Sequence, residues 1–233
     1  MEITKLTKLL IISPHPDDES LGCGGLIGKC KKEGAEILLL YISVGNSRQL
    51  VTGKTESDIR TKEIDAVRKF TKAKIQIVYS GDEFCRLDTV PQKDIVEHIE
   101  DTIETFKPTI VALPSSSSYN QDHRAVWDAA ITALRPVPKI LRHMPRLVIE
   151  YFEPYIWSAR SIKQPTLYLD LGQKYKGDTL LDYKIKLYQC HRTQVREDPF
   201  PRSIENLERI AHIYGKEIGV SLAEAYVVLR SEI

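Results

Sequence analysis

Only four cysteines occur in the 233 residues, at positions 23, 30, 85 and 190, and no two form a C-x-x-C pair. That scatter argues against a cysteine-built zinc site and fits reduced thiols rather than a disulfide framework. An excess of one charge is missing too: Lys+Arg total 33 against Asp+Glu 32, a formal charge of +1. No global field therefore argues for nucleic acid or an anionic membrane as partner. No apolar run approaches transmembrane length, and the run within Met1 to Ile12 is too short for a signal peptide. A cytoplasmic protein with no membrane span is expected. Internal repeats and a dividing linker are absent, so one domain over 1–233 is expected, long enough to bury a sizeable core.

What is present is alternation. Short apolar runs at 9–12, 37–43, 75–79 and 109–113 read as strands, and between them amphipathic stretches at 20–33, 56–70 and 91–106 read as helices. A fourth helix opens at Asp122, with Val126, Ile131 and Leu134 on its core face. Strands at 147–152, 166–171 and 225–230 and helices at 175–190 and 203–215 complete the prediction. Strands alternating with helices imply right-handed crossovers, hence an α/β fold of three-layer, Rossmann-like type with a mostly parallel sheet flanked by helices. Gly34 suits the residue just past the first helix.

That helix is rich in glycine, which invites a nucleotide-binding reading. A phosphate loop fails, because Cys23 stands five before Gly28 and Lys29 is followed by Cys30. A G-x-G-x-x-G pattern fails at Ile27. Close helix–strand packing explains the small residues better. Pro114 to Gln121, with four consecutive serines, is a loop. Arg135, Lys139, Arg142, His143 and Arg146 accumulate in a stretch without acids, usually a solvated loop; the sharper alternative is a basic lip for an anionic group on a substrate. Tyr151, Phe152, Tyr155, Trp157 and Tyr168 could stack on a sugar, although burial or a subunit contact is commoner. His98 is expected to be solvated, and His143 and His212 have no partner pattern.

The chemistry concentrates in Ser13-Pro14-His15-Pro16-Asp17-Asp18-Glu19-Ser20, a Pro-stiffened loop between the first strand and first helix. His nitrogen and Asp oxygen both ligate zinc at about 2.0–2.2 Å, and a catalytic zinc keeps three protein ligands and one open position. His15 and Asp18 are three apart, near enough to grip one ion. Neighbouring side chains diverge, so one aspartate of the pair can ligate while the other faces the bound water as a general base. The bland alternative is that these acids cap a helix and answer its dipole.

Pro14-His15-Pro16-Asp17-Asp18-Glu19 resembles the signature of the LmbE-like (PIG-L type) N-deacetylases, zinc enzymes that remove acetyl groups from N-acetylglucosamine-type substrates. Asn120-Gln121-Asp122-His123-Arg124 and His191-Arg192-Thr193-Gln194 extend the resemblance, as do Arg60 with Glu63, the Gly81-Asp82 loop and Ala223-Glu224-Ala225. It implies a metal-dependent hydrolase of an acetamide C–N bond, with His15, Asp18 and His123 as ligands of Zn²⁺, or of Fe²⁺ as the alternative ion. Asp17 is then the general base, and His191 steadies the oxyanion or protonates the departing amine. Glu19 braces the loop. Arg60, Asp82, Asn120 and Asp122 are candidates for substrate contacts. Many relatives carry a second His where Asn120 stands, and an amide cannot carry a proton. The partner implied is a small N-acetylated sugar, anionic in one variant of the reading, and a homo-oligomer is compatible. Two rivals stand: an amidase acting on another N-acylated conjugate, and a non-catalytic Rossmann module binding nucleotide or metal.

Overall fold

The computed structural model describes residues 2–49, 53–55, 57–81, 84–154, 161 and 163–232. In chain order the elements are β1 (Lys8–Ser13), α1 (Asp18–Lys32), β2 (Glu36–Val44), β3 (Ser47–Gln49), β4 (Gly53–Thr55), α2 (Ser57–Thr71) and β5 (Lys74–Ser80). Then follow α3 (Gln92–Phe106), β6 (Ile110–Leu113), α4 (Gln121–Ala133), β7 (Leu147–Tyr151), β8 (Leu167–Asp170), β9 (Lys174–Tyr175) and β10 (Asp178–Thr179). The last three are α5 (Leu180–Tyr188), α6 (Ile204–Glu217) and β11 (Ala223–Ser231).

Among the described residues the main sheet has the order β5-β2-β1-β6-β7-β11-β8. Its first five strands run parallel, and β11 pairs antiparallel with both β7 and β8. The strands are apolar on both faces because helices cover both. Leu9 and Ile11 of β1 point to a core with Ile27 of α1, Val67 of α2 and Leu187 of α5. Leu10 and Ile12 point the other way, to Ile99 of α3 and Val126 of α4. The expected layered, mostly parallel α/β architecture is therefore the one observed.

Chain order reverses between the neighbours β1 and β6. In an open α/β sheet the crevice outside the carboxyl ends of the strands at such a reversal is where ligands bind. The loops leaving β1 and β6 are those that carry His15 and His123.

The α1 glycines serve packing, as expected. A Cβ on Gly22 would collide with the Tyr151 ring, and one on Gly25 with Leu171 and the Glu224 carboxylate. Gly34, at φ +74°, ends the helix, and the next amide, Ala35 N–H, donates back to Cys30 O at 2.9 Å.

One expected helix boundary needs correction. The helix predicted over 175–190 starts only at Leu180. Lys176 and Gly177, both at positive φ, turn a small β9–β10 hairpin instead, and Thr179 with Asp182 forms a capping box. After β2, the strands β3 and β4 pair antiparallel as a small hairpin. The basic stretch precedes β7 and closes against the start of β6, with Leu147 N–H on Thr109 O and the His143 ring on Pro108 O. It therefore lies at the amino ends of the strands, opposite the crevice. Arg135 and Arg142 both pair with Glu100, and Lys139 with Glu232, so the solvated-loop alternative describes this stretch and the basic-lip alternative does not.

Candidate metal centre and active site

The turn after β1 is built for display rather than relaxation. Asp17 sits at φ +119°, a region L-residues avoid at a cost of about 1–3 kcal/mol. What holds it is local: Asp17 N–H donates to Glu19 Oε2 at 2.9 Å, and His15 N–H to Asp18 Oδ2 at 2.9 Å. Asp17 and Asp18 consequently point apart, as adjacent residues in such a turn must.

Asp18 faces two imidazoles. Its Oδ2 lies 3.7 Å from His15 Nδ1 and 3.3 Å from His123 Nε2, and one ligand atom from each of the three residues lies within 4.8 Å of the others. Each imidazole has its remaining nitrogen on a carboxylate. His15 Nε2 is 2.8 Å from Asp122 Oδ2, and His123 Nδ1 abuts Glu153 Oε1. Histidines that ligate a metal are typically oriented in this way by their second nitrogen.

Asn120, rather than Asp122, caps α4, accepting Asp122 N–H on Oδ1 at 2.9 Å. Asp122 is fully buried with its other oxygen on Leu87 N–H at 3.0 Å, so it orients His15 rather than facing a substrate.

The electrostatics suit a bound cation. Burial pushes Asp18 up to about 6, despite the pull of His123. Burial opposes the charged form of His123, but Asp18 and Glu153 outweigh it and raise the ring to about 9. Asp18 Oδ1 and His123 Nε2 are buried, and among the described residues neither has a hydrogen-bond partner. A buried carboxylate and imidazole left so are costly unless an ion completes them. Two neutral nitrogens and one carboxylate oxygen, with a position to spare, suit a divalent cation such as zinc.

Asp17 has a different environment. Burial would raise its carboxyl, yet Arg202 and Arg60 outweigh that and hold it below the usual carboxylate range. Arg202 donates to Asp17 Oδ2 at 2.8 Å, and Arg60 stands 4.0 Å from Oδ1. Arg60 is 2 % exposed, so it is no surface residue. It bonds Glu63 Oε2 at 2.5 Å and the Pro16 carbonyl, and Glu63 in turn accepts Thr193 N–H at 2.7 Å. Thus Arg60 props the loop from below. His191 is fully buried, with Nε2 2.7 Å from Glu19 Oε1.

His15, Asp17, Asp18, Glu19 and His123 are therefore brought together, with Asp122 and His191 one hydrogen bond behind. Asp82, Tyr155 and Trp157 lie outside the described residues. Sequence reasoning missed Glu153 and Arg202. Glu153 had a signal, an acid just beyond the carboxyl end of β7 beside the first two loops, whereas Arg202 had none.

The chain is 26% identical to the diacetylchitobiose deacetylase of Thermococcus kodakarensis over 93% of its own length and 81% of that protein's. Solved structures of similar fold include the conserved protein TT1542 from Thermus thermophilus (TM-score 0.75, 20% identity, 98% of this chain and 97% of that one). Another is the N,N'-diacetylchitobiose deacetylase from Pyrococcus horikoshii, solved with an inhibitor (TM-score 0.73, 22% identity, 96% and 84% covered). At such identities the structural likeness speaks for the fold alone. The family model for the GlcNAc-PI de-N-acetylases, PIG-L, matches residues 10–134, more than half of the chain and both arms of the His15–Asp18–His123 cluster, and the chain belongs to that family.

Proposed function

We propose that the protein is a metal-dependent N-deacetylase that hydrolyses the acetamide of an N-acetylglucosamine-type sugar and releases acetate. One observation carries this reading. The three donors of His15, Asp18 and His123 converge at the switch-point crevice, and each imidazole is held from behind by a carboxylate. A zinc ion bound there lowers the pKa of its water toward about 7 and polarises a carbonyl. Ferrous iron is the alternative occupant.

Asp17 takes the proton of the attacking water. Its carboxylate is kept ionised and aimed by Arg202, and its backbone is locked by Glu19. His191 acts through Glu19, holding the carboxylate that holds the loop. Because the Asn120 amide cannot carry a proton, Asp17 is also the group that returns a proton to the departing amine. Diacetylchitobiose, the substrate named for the Thermococcus relative, is the first compound to test. Neither a nucleotide nor an anionic substrate is favoured, since side chains crowd the α1 glycines and the basic stretch lies at the far end of the sheet. Among the described residues no helix is long and apolar enough to cross a membrane. A single domain in the cytoplasm, free to form a homo-oligomer, is the accompanying proposal.

The test is Asp17→Asn assayed for free amine and acetate, with bound metal measured on the same sample. Losing a general base typically costs about 10²–10⁴ in rate. Retained metal with turnover reduced by that factor is expected. Normal turnover would refute the assignment.

A further inference from the structure

We propose that Cys85, His15 and Asp122 form a second cation site, for a thiophilic divalent ion such as excess Zn²⁺ or Cd²⁺, whose occupation inhibits the enzyme. A sulfur, an imidazole nitrogen and a carboxylate oxygen from these three residues lie within 4.8 Å of one another. His15 and Asp122 are buried, whereas Cys85 is exposed, so an ion arriving from solvent meets the thiol first.

The turn that carries the thiol is fastened to the start of α4. Cys85 O accepts Gln121 Nε2 at 3.1 Å, Leu87 N–H reaches Asp122 Oδ1 at 3.0 Å, and the Phe84 ring lies 4.9 Å from that of His15. Cys85 is thereby held beside the His15–Asp122 pair rather than drifting past it. The donor set of sulfur, nitrogen and oxygen favours zinc or cadmium over magnesium, calcium or manganese.

One ring thus serves two donor sets. Nδ1 of His15 faces Asp18, and Nε2 faces Asp122. Binding at the second set forms metal–sulfur, metal–nitrogen and metal–oxygen bonds. Cys85 gives up its S–H proton and His15 its Nε2 proton to solvent, with no change of oxidation state. The His15–Asp122 hydrogen bond that orients the ring is lost in the exchange. That inhibition follows rests on His15 being a ligand of the catalytic metal; the second site itself does not.

Metal-free protein is loaded with one equivalent of Zn²⁺ and then titrated with Zn²⁺ or Cd²⁺. Bound metal, the ultraviolet cadmium–thiolate band and acetate release are followed for wild type, C85S, C85A and C190S. Wild type and C190S are expected to take a second equivalent, show the band and lose activity. C85S and C85A should stop at one equivalent, show no band and need at least about tenfold more zinc for half-inhibition, with unchanged activity at one equivalent. The two substitutions at position 85 guard against a folding defect in either. A second equivalent of wild-type affinity in the Cys85 variants, or a band lost in C190S instead, would overturn the site. Absence of acetate release at one equivalent would sink the deacetylase reading alone, because stoichiometry and band still decide the second site.

Discussion

Residue 17 shows how far a side chain's chemistry is made by its neighbours. An aspartate as buried as this one would ordinarily hold its proton more tightly, and two guanidinium groups reverse that tendency. Arg202 is the nearer, so Arg202→Ala should let the Asp17 carboxyl rise. The base must be ionised to work. A raised pKa means that activity fails sooner as pH falls, and the acid limb of kcat/KM should move to higher pH. Arg202→Lys should restore part of the shift. A pH–rate profile of the three proteins checks this, and a limb that stays in place would mean that Arg202 does not govern Asp17. Neither Arg202 nor Glu153 belonged to a motif, and their roles arise only when chain segments far apart in sequence meet. His15, Asp17 and Asp18 stood out because they share a stiff Pro-bounded turn directly after an apolar run, whereas the separate roles of Asp17 and Asp18 and the part of His123 came from the resemblance to the N-deacetylases. Asn120 and Asp122 were both read as candidates for substrate contacts; Asn120 caps α4, and Asp122 bonds the His15 ring and the Leu87 N–H.

At the scale of elements, α1 depends on a buried ion pair. The Glu224 carboxylate accepts the N–H groups of Gly25 and Leu26 at 3.0 and 2.9 Å, and Lys184 Nζ donates to both Glu224 and the Leu21 carbonyl. Both ends of one helical turn, Leu21 O and Gly25 N, are thus gripped by side chains from α5 and β11. Breaking one partner of a buried pair typically costs about 3–5 kcal/mol, because the other charge is stranded. Lys184→Met should destabilise by that order in chemical denaturation, whereas the double variant Lys184→Met/Glu224→Gln should lose clearly less. Equal losses would show that the charges are not coupled. The strands and most helices were legible from their periodicity. The β9–β10 hairpin was not, because Tyr175, Leu180 and Tyr183 mimic a helical stripe, and the turn at Gly177 outweighs it.

For the whole molecule, the centre joins loops from β1, β6 and β7, so a bound ion is also a clasp across the sheet. A ligand held only by the folded state stabilises it by about 2.7 kcal/mol at a hundredfold excess over Kd. Chelation should accordingly lower Tm in wild type and leave it unmoved in His123→Ala. A similar drop in both proteins would place the stabilising metal elsewhere. The parallel, layered α/β class was legible from alternating element types, whereas the reversal of strand order between β1 and β6, which marks the crevice, and the antiparallel β11 and β8 were not.

The turn that carries Asp17 is secured largely from the other end of the polypeptide. Its strained backbone answers to Glu19, which His191 braces across 172 positions of sequence, and its carboxylate answers to Arg202 across 185. During synthesis the opening motif leaves the ribosome long before either partner exists. A nascent chain therefore carries a complete signature and an inert one, and competence arrives only when the late segments dock.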